Sequence, residues 1–161
     1  MTSCRPETVA FTATAPLRVT ATREIIAGPD RIFAALADAS SWPRWFPGLD
    51  QARWTSPEPH GMGSTREVKV GPLRVVEEFI AWEPGVRFGF TFESTNLPGT
   101  RAGVELVELL PVTAHRTRVS YTMALEPVGL PARLAPPLKP VMRAAIGRGL
   151  AGLDRYLAQG A

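Results

Sequence analysis

The sequence predicts an α+β domain built on an antiparallel sheet, and three observations carry that reading. One alternating strand runs directly into two short helical stretches. About six short β-patterned segments follow, divided by Gly and Pro turns, and an amphipathic helix comes last. Successive hairpins with helices at one end and on one side indicate α+β rather than a parallel α/β sheet.

Residues 1–16, rich in Thr and Ala, read as a loose N-terminal arm, and residues 17–158 as one domain, in keeping with a length of 161 residues. "LRVTATREII" alternates, with Val19, Ala21 and Ile25 on one face of a strand. In "GPDRIFAALAD", Gly28 breaks the strand, Pro29 and Asp30 suit a first helical turn, and Ile32, Phe33 and Leu36 form a short apolar stripe. "DASSWPRWFPG" (38–48) is a second short helix or turn, with Ser40 or Ser41 as its cap and Pro43 early in it. Its Trp42, Trp45 and Phe46 form either a plug that closes one end of the sheet or a gate at the mouth of a cavity.

The strands that follow are "LDQARWTS", which holds Trp54, then "MGSTREVKV", "LRVVEEFIAW", "VRFGFTF", "GVELVELL" and "RTRVSYTMAL". Pro131, Pro136 and Pro137 delay the last helix, so its regular part is placed from Pro140 to Ala158. Met142, Ile146, Gly149, Leu150, Leu153 and Leu157 recur along one stripe of it. Gly147, Gly149 and Gly152 each cost about 1 kcal/mol against Ala inside a helix. They permit either close backbone packing or space for a ligand between helix and sheet.

Turn positions set the register. If Gly71 and Pro72 form a two-residue turn, Arg66 lies opposite Glu77, Val68 opposite Val75 and Val70 opposite Leu73. One face of the hairpin is then apolar except for an opposed Arg–Glu pair. Around the Glu83–Val86 turn, Phe79 faces Phe90, Ala81 faces Phe88 and Glu77 faces Phe92, which puts four phenylalanines around Glu77. Alternation turns Tyr121 and Met123 inward from the last strand, and Val107 belongs to the strand before it. Charged groups on an inner face need partners or water. Arg66 and Glu77 form either a buried structural salt bridge or a polar pair in a ligand cavity, where Glu77 acts as general acid or base and Tyr121 donates a hydrogen bond.

Composition limits the alternatives. Apolar residues make up 45% of the chain and charged residues 20%, which excludes wholesale disorder. The net charge is +3, carried mostly by Arg dispersed among apolar residues, so a nucleic-acid partner is not expected. Cys4 is the one cysteine, no segment approaches a membrane span, and the first residues lack a signal-peptide pattern; a cytoplasmic protein, monomer or homodimer, is the expectation. His60 and His115 fall in separate loops and read as solvated. No Cys/His/Asp cluster has metal spacing, so neither metal nor cofactor is expected, and no phosphate loop or nucleophile elbow is present.

"PDRIFAALADASSWPRWFPGL", "EEFIAWEPGVRFGFTF" and the long C-terminal helix together resemble the START-like (SRPBCC) superfamily, and within it the polyketide cyclase/dehydrase-type proteins, over residues 17–158. Asp38, Trp42, Pro43 and Trp45 match the family's aspartate and aromatic–Pro–x–aromatic run. Glu77, Trp82, Glu83 and Pro84 match its central-strand Glu and following turn. "WPRWFPG" is also similar to the coenzyme Q-binding and ribosome-associated toxin branch. The resemblance implies a helix-grip fold, a curved antiparallel sheet of about seven strands around the C-terminal helix, with a deep apolar cavity between them. Members bind lipids, sterols, polyketides, hormones or quinones, and some catalyse cyclisation or dehydration without a universal catalytic residue.

The expected function is therefore binding of a small hydrophobic molecule, with cyclisation or dehydration as the candidate reaction and no cofactor. Arg66, Glu77 and Tyr121 are the candidate catalytic groups. The candidate ligand contacts are Trp42, Trp45, Phe46 and Trp54 near the helices, Val75, Phe79, Phe88, Phe90, Phe92, Val107 and Met123 on the sheet, and Met142, Ile146 and Gly149 on the last helix. The alternatives are a non-catalytic lipid or quinone carrier or sensor, and a protein-interaction module with the aromatic stretch on its surface.

Overall fold

A computed structural model describes residues 1–160. The N-terminal arm is not loose. A two-residue strand, β1 (Thr2–Ser3), pairs with Thr95 and Ser94, and the Cys4 and Arg5 amides continue the docking onto the Glu93 and Arg101 carbonyls. A single helical turn, α1 (Phe11–Thr14), then buries Phe11 against Ala102, Val104 and Ala124 on the outer face of the sheet. A lone aromatic anchor has no period, so the arm's apolar contact leaves no pattern to read.

Next come β2 (Leu17–Ile25) and α2 (Pro29–Ala37), with Pro29 in the first turn and Ile32, Phe33 and Leu36 buried. A 3-10 turn (Ala39–Ser41) leads into the one-turn helix α3 (Trp42–Trp45). The cap is Asp38 rather than either serine: its carboxylate accepts from the Ser40 amide at 3.0 Å. Ser41 is committed elsewhere, donating to the Ala35 carbonyl at 2.9 Å and accepting from the Trp45 indole at 3.0 Å.

The remaining strands are β3 (Gln51–Trp54), β4 (Thr65–Val70), β5 (Leu73–Glu83), β6 (Arg87–Thr95), β7 (Thr100–Thr113) and β8 (Arg116–Pro127). They form an antiparallel sheet in the order β2-β8-β7-β6-β5-β4-β3, with β1 added beside β6. The β4–β5 register is the expected one, Arg66 opposite Glu77 and Val68 opposite Val75. In the next hairpin Phe79 pairs with Phe90 and Glu77 with Phe92, but a bulge after Phe79 sets Ala81 opposite Gly89 and Phe88 opposite Trp82.

The last helix, α4 (Leu130–Gln159), starts ten residues before the expected Pro140. Pro131 lies in the first turn, where its missing N–H is not needed. Pro136, Pro137 and Pro140 are all exposed, while Ala135 immediately before them is buried. The hydrogen bonds those prolines forgo are thus lost on the solvent side, and packing overrides propensity. The curved sheet grips α4, the helix-grip architecture, and the main core lies between them and α2. Among the described residues no helix is long and apolar enough to cross a membrane.

Candidate functional site

Between the concave face of the sheet and α4 lies a cavity of about 610 Å³. Its walls are overwhelmingly apolar, and its ionisable groups come from four strands: Arg66 on β4, Glu77 on β5, Glu105 on β7 and Tyr121 on β8. Alternation turns each of these side chains to the same face, and the antiparallel register brings them together at the closed end.

Arg66 is fully buried and Glu77 nearly so. The Arg66 Nε donates to Glu77 Oε2 at 2.8 Å, and Nη2 lies 2.7 Å from the same oxygen as an ionic contact rather than a directed hydrogen bond. Nη1 has no hydrogen-bond partner among the described residues. Aromatic rings surround the guanidinium: its carbon is 4.4 Å from the centroid of Trp42, 5.1 Å from Phe90, 5.2 Å from Phe79 and 5.9 Å from Phe88. The negative faces of such rings replace part of the hydration that burial removes.

The Tyr121 hydroxyl donates to Glu105 Oε2 in a very short hydrogen bond. Burial pushes the Glu105 carboxyl up to about 7, the charge of Glu77 adds to the effect, and the Tyr121 hydrogen bond and Arg66 oppose it. Burial also raises Glu77, against the pull of Arg66. Tyr121 is raised well above its ordinary value by burial and by the adjoining carboxylate, so it remains a donor. The closed end thus holds one permanent cation, its paired carboxylate, and a second carboxyl able to gain or lose a proton near neutrality.

Glu105 is the residue that the sequence reading misses. Residues 102–107 of β7 are buried on both faces, so "GVELVELL" shows no clean alternation. The signal lies in the register instead: with the chain turning at His115, Val107 faces Tyr121 and Glu105 faces Met123, both of which point inward.

Among the expected contacts, Trp42, Phe46, Val75, Phe90, Phe92, Met123, Met142 and Ile146 lie on the cavity wall beside Arg66, Glu77 and Tyr121. Six others do not. Phe79 and Phe88 form a layer behind Arg66 with Trp82, reinforced by edge contacts from Phe33. Trp54 packs on Phe79 and stacks on His60 at 4.1 Å, so His60 is half-buried rather than solvated. Val107 is wholly in the core.

Gly149 and Trp45 belong to one helix contact. A Cβ on Gly149 would lie 2.6 Å from the Phe46 ring, and one on Gly152 would run into the Trp45 carbonyl oxygen. These glycines admit α3, rather than a ligand, against α4. Trp42 and Trp45 are both buried, so they offer no surface patch, and Trp42 sits over Arg66 at the closed end, not at a mouth. The open side lies between the β4–β5 turn, the β6–β7 loop and the start of α4, where the lining residues Val70, Leu134 and Leu138 are exposed.

A family model described as polyketide cyclase/dehydrase and lipid transport matches residues 16–158. An uncharacterized protein of Mycobacterium tuberculosis is 38% identical over 160 residues, 97% of this chain and 93% of the relative, and a Mycobacterium bovis protein matches equally. Among solved structures, a START superfamily protein from Mycobacterium smegmatis superposes with a TM-score of 0.74 at 14% identity, over 88% of this chain and 99% of that one. The Zhui aromatase/cyclase from a Streptomyces species does so with a TM-score of 0.69 at 15% identity, over 86% and 92%. At such identities the structural likeness is one of fold.

Proposed function

The chain belongs to the polyketide cyclase/dehydrase and lipid transport family, and from that premise we propose that it encloses one small, largely apolar molecule with an oxygen-bearing end against Arg66. The observation that carries this reading is the partnerless Arg66 Nη1 in an apolar cavity. A buried cationic N–H without an acceptor is costly, and a carbonyl or hydroxyl oxygen on a ligand supplies the acceptor.

The same groups suit cyclisation or dehydration. Arg66 polarises a carbonyl, and ionised Glu105 removes a proton from the adjoining carbon while Arg66 holds the enolate oxygen. The Glu105 carboxyl then returns that proton to a departing β-hydroxyl, which leaves as water. Proton transfer is assigned to Glu105 rather than Glu77, because Glu77 neutralises Arg66 whereas Glu105 titrates near 7. Tyr121 orients Glu105.

Native mass spectrometry of the purified protein, with extraction of the bound molecule, tests the binding: a one-to-one adduct is expected. Arg66→Lys keeps the ion pair but removes the Nη1 donor, and should weaken retention by roughly ten-fold. Retention equal to wild type overturns the assignment. Turnover of the extracted molecule's precursor separates enzyme from carrier: Glu105→Gln should bind it and form no product. No product from wild type either leaves a carrier.

A further inference from the structure

The mouth of the cavity continues onto an apolar surface that the fold does not cover. Along the first turns of α4, Leu130, Leu134, Leu138 and Val141 are 67%, 52%, 50% and 63% exposed. At 3.6 residues per turn they share a sector of about 80°, adjoining the cavity-facing line of Pro131, Ala135, Met142 and Ile146. Leu134 and Leu138 belong to both, lining the cavity and standing in solvent. Across the opening, Val70 at the β4–β5 turn is 38% exposed. The apolar lining therefore runs out of the cavity without a polar break.

Along the helix that carries this stripe the charge has one sign up to Asp154. Between Glu126 and Asp154 the chain has no acidic residue and four basic ones, Arg133, Lys139, Arg143 and Arg148. Arg143 reaches back to the Thr20 carbonyl. Arg133 and Lys139 form no ion pair among the described residues. On the opposite rim the one carboxylate tied to the β4–β5 turn is Asp50, which accepts from the Gly71 amide at 2.6 Å. A helical apolar stripe whose own flanks are basic and carry no acid before Asp154 matches an anionic bilayer surface. A second copy of the chain matches poorly, because its own stripe brings basic flanks and no helix acid to meet them.

We propose that this face docks on an anionic lipid bilayer, with Leu130, Leu134, Leu138 and Val141 in the boundary between headgroups and acyl chains. The cavity mouth then opens onto the bilayer. The docking stands on the surface alone; the consequence that an apolar ligand passes between bilayer and cavity without crossing water rests on the ligand-binding reading.

Co-sedimentation of the full chain with vesicles tests it. Vesicles of phosphatidylcholine with phosphatidylglycerol should bind the protein, binding should fall as salt is raised, and phosphatidylcholine alone should bind far less. Leu130→Glu/Val141→Glu changes two exposed residues that do not line the cavity. It should keep the wild-type circular dichroism spectrum and ligand content while losing roughly ten-fold or more in vesicle partitioning. Absence of wild-type binding to anionic vesicles, or undiminished binding by the folded variant, overturns the proposal. So does a wild-type dimer in sedimentation equilibrium that the variant dissolves. Loss of ligand with vesicle binding intact would instead fail the cavity reading and leave docking standing.

Discussion

Arg66 occupies a position where a cation is expensive, at the closed end of an apolar cavity and out of contact with solvent. Glu77 and four aromatic rings compensate it incompletely, which leaves one donor without a partner among the described residues. Glu105 stands beside this pair with its carboxyl raised to about 7. A carboxyl raised by folding binds its proton more tightly in the native state. Its unfavourable contribution is therefore absent below the unfolded value of 4.5, grows as pH rises towards 7, and is complete above that. Glu105→Gln should remove the loss while keeping an acceptor for Tyr121. Urea denaturation at pH 5 and pH 8 should show wild type losing about 2.5 kcal/mol relative to the variant. Parallel pH profiles for the two proteins would contradict it. The Arg66–Glu77 pair was legible because a Gly-Pro turn sets its register; Glu105 was not, because a strand buried on both faces has no visible alternation.

The contact between α3 and α4 explains two features that the sequence presents separately, a Trp-Pro-x-Trp turn and a glycine-rich helix. Gly152 accepts the Trp45 backbone and Gly149 accepts the Phe46 ring. A main-chain atom cannot move aside as a side chain can, so Gly152→Ala should destabilise by about 1–3 kcal/mol. Gly147 has nothing within 4 Å of a Cβ, so Gly147→Ala should be neutral or stabilise by up to about 1 kcal/mol through helix propensity alone. Thermal melts of the two variants should move in opposite directions if the glycines differ as the packing requires; equal shifts would mean that backbone contact at Gly152 is not what selects glycine. The extent of α4 was less legible. Its prolines break the expected pattern, and only the tertiary contacts of Ala135 and the cavity-facing residues make the first turns worthwhile.

Taken together, the molecule is a curved sheet and a helix around a space that its own side chains leave open at one side. A ligand that fills this space binds the folded state alone and must stabilise it by mass action. At a ligand concentration one hundred times the dissociation constant, the gain is about 2.7 kcal/mol, or roughly 5–10 °C in melting temperature for a chain of this size. Protein stripped of ligand by organic extraction and refolded should melt lower by that margin and recover when the extract is returned. A melting temperature unchanged by either treatment would mean that the cavity does not hold the extracted molecule.

Strand alternation, turn residues and the stripe of the last helix lie in neighbouring positions along the chain, and they were enough for the α+β class, the hairpin registers about Gly71-Pro72 and the inward set of Arg66, Glu77 and Tyr121. What local pattern cannot carry is any property that depends on elements far apart in sequence. The docking of the N-terminal arm through Phe11, the meeting of Trp45 with Gly152, the bulge after Phe79, and the pairing of Glu105 with Tyr121 were settled by packing. Each is a contact across the fold, and its energy depends on distance in space rather than on spacing along the chain.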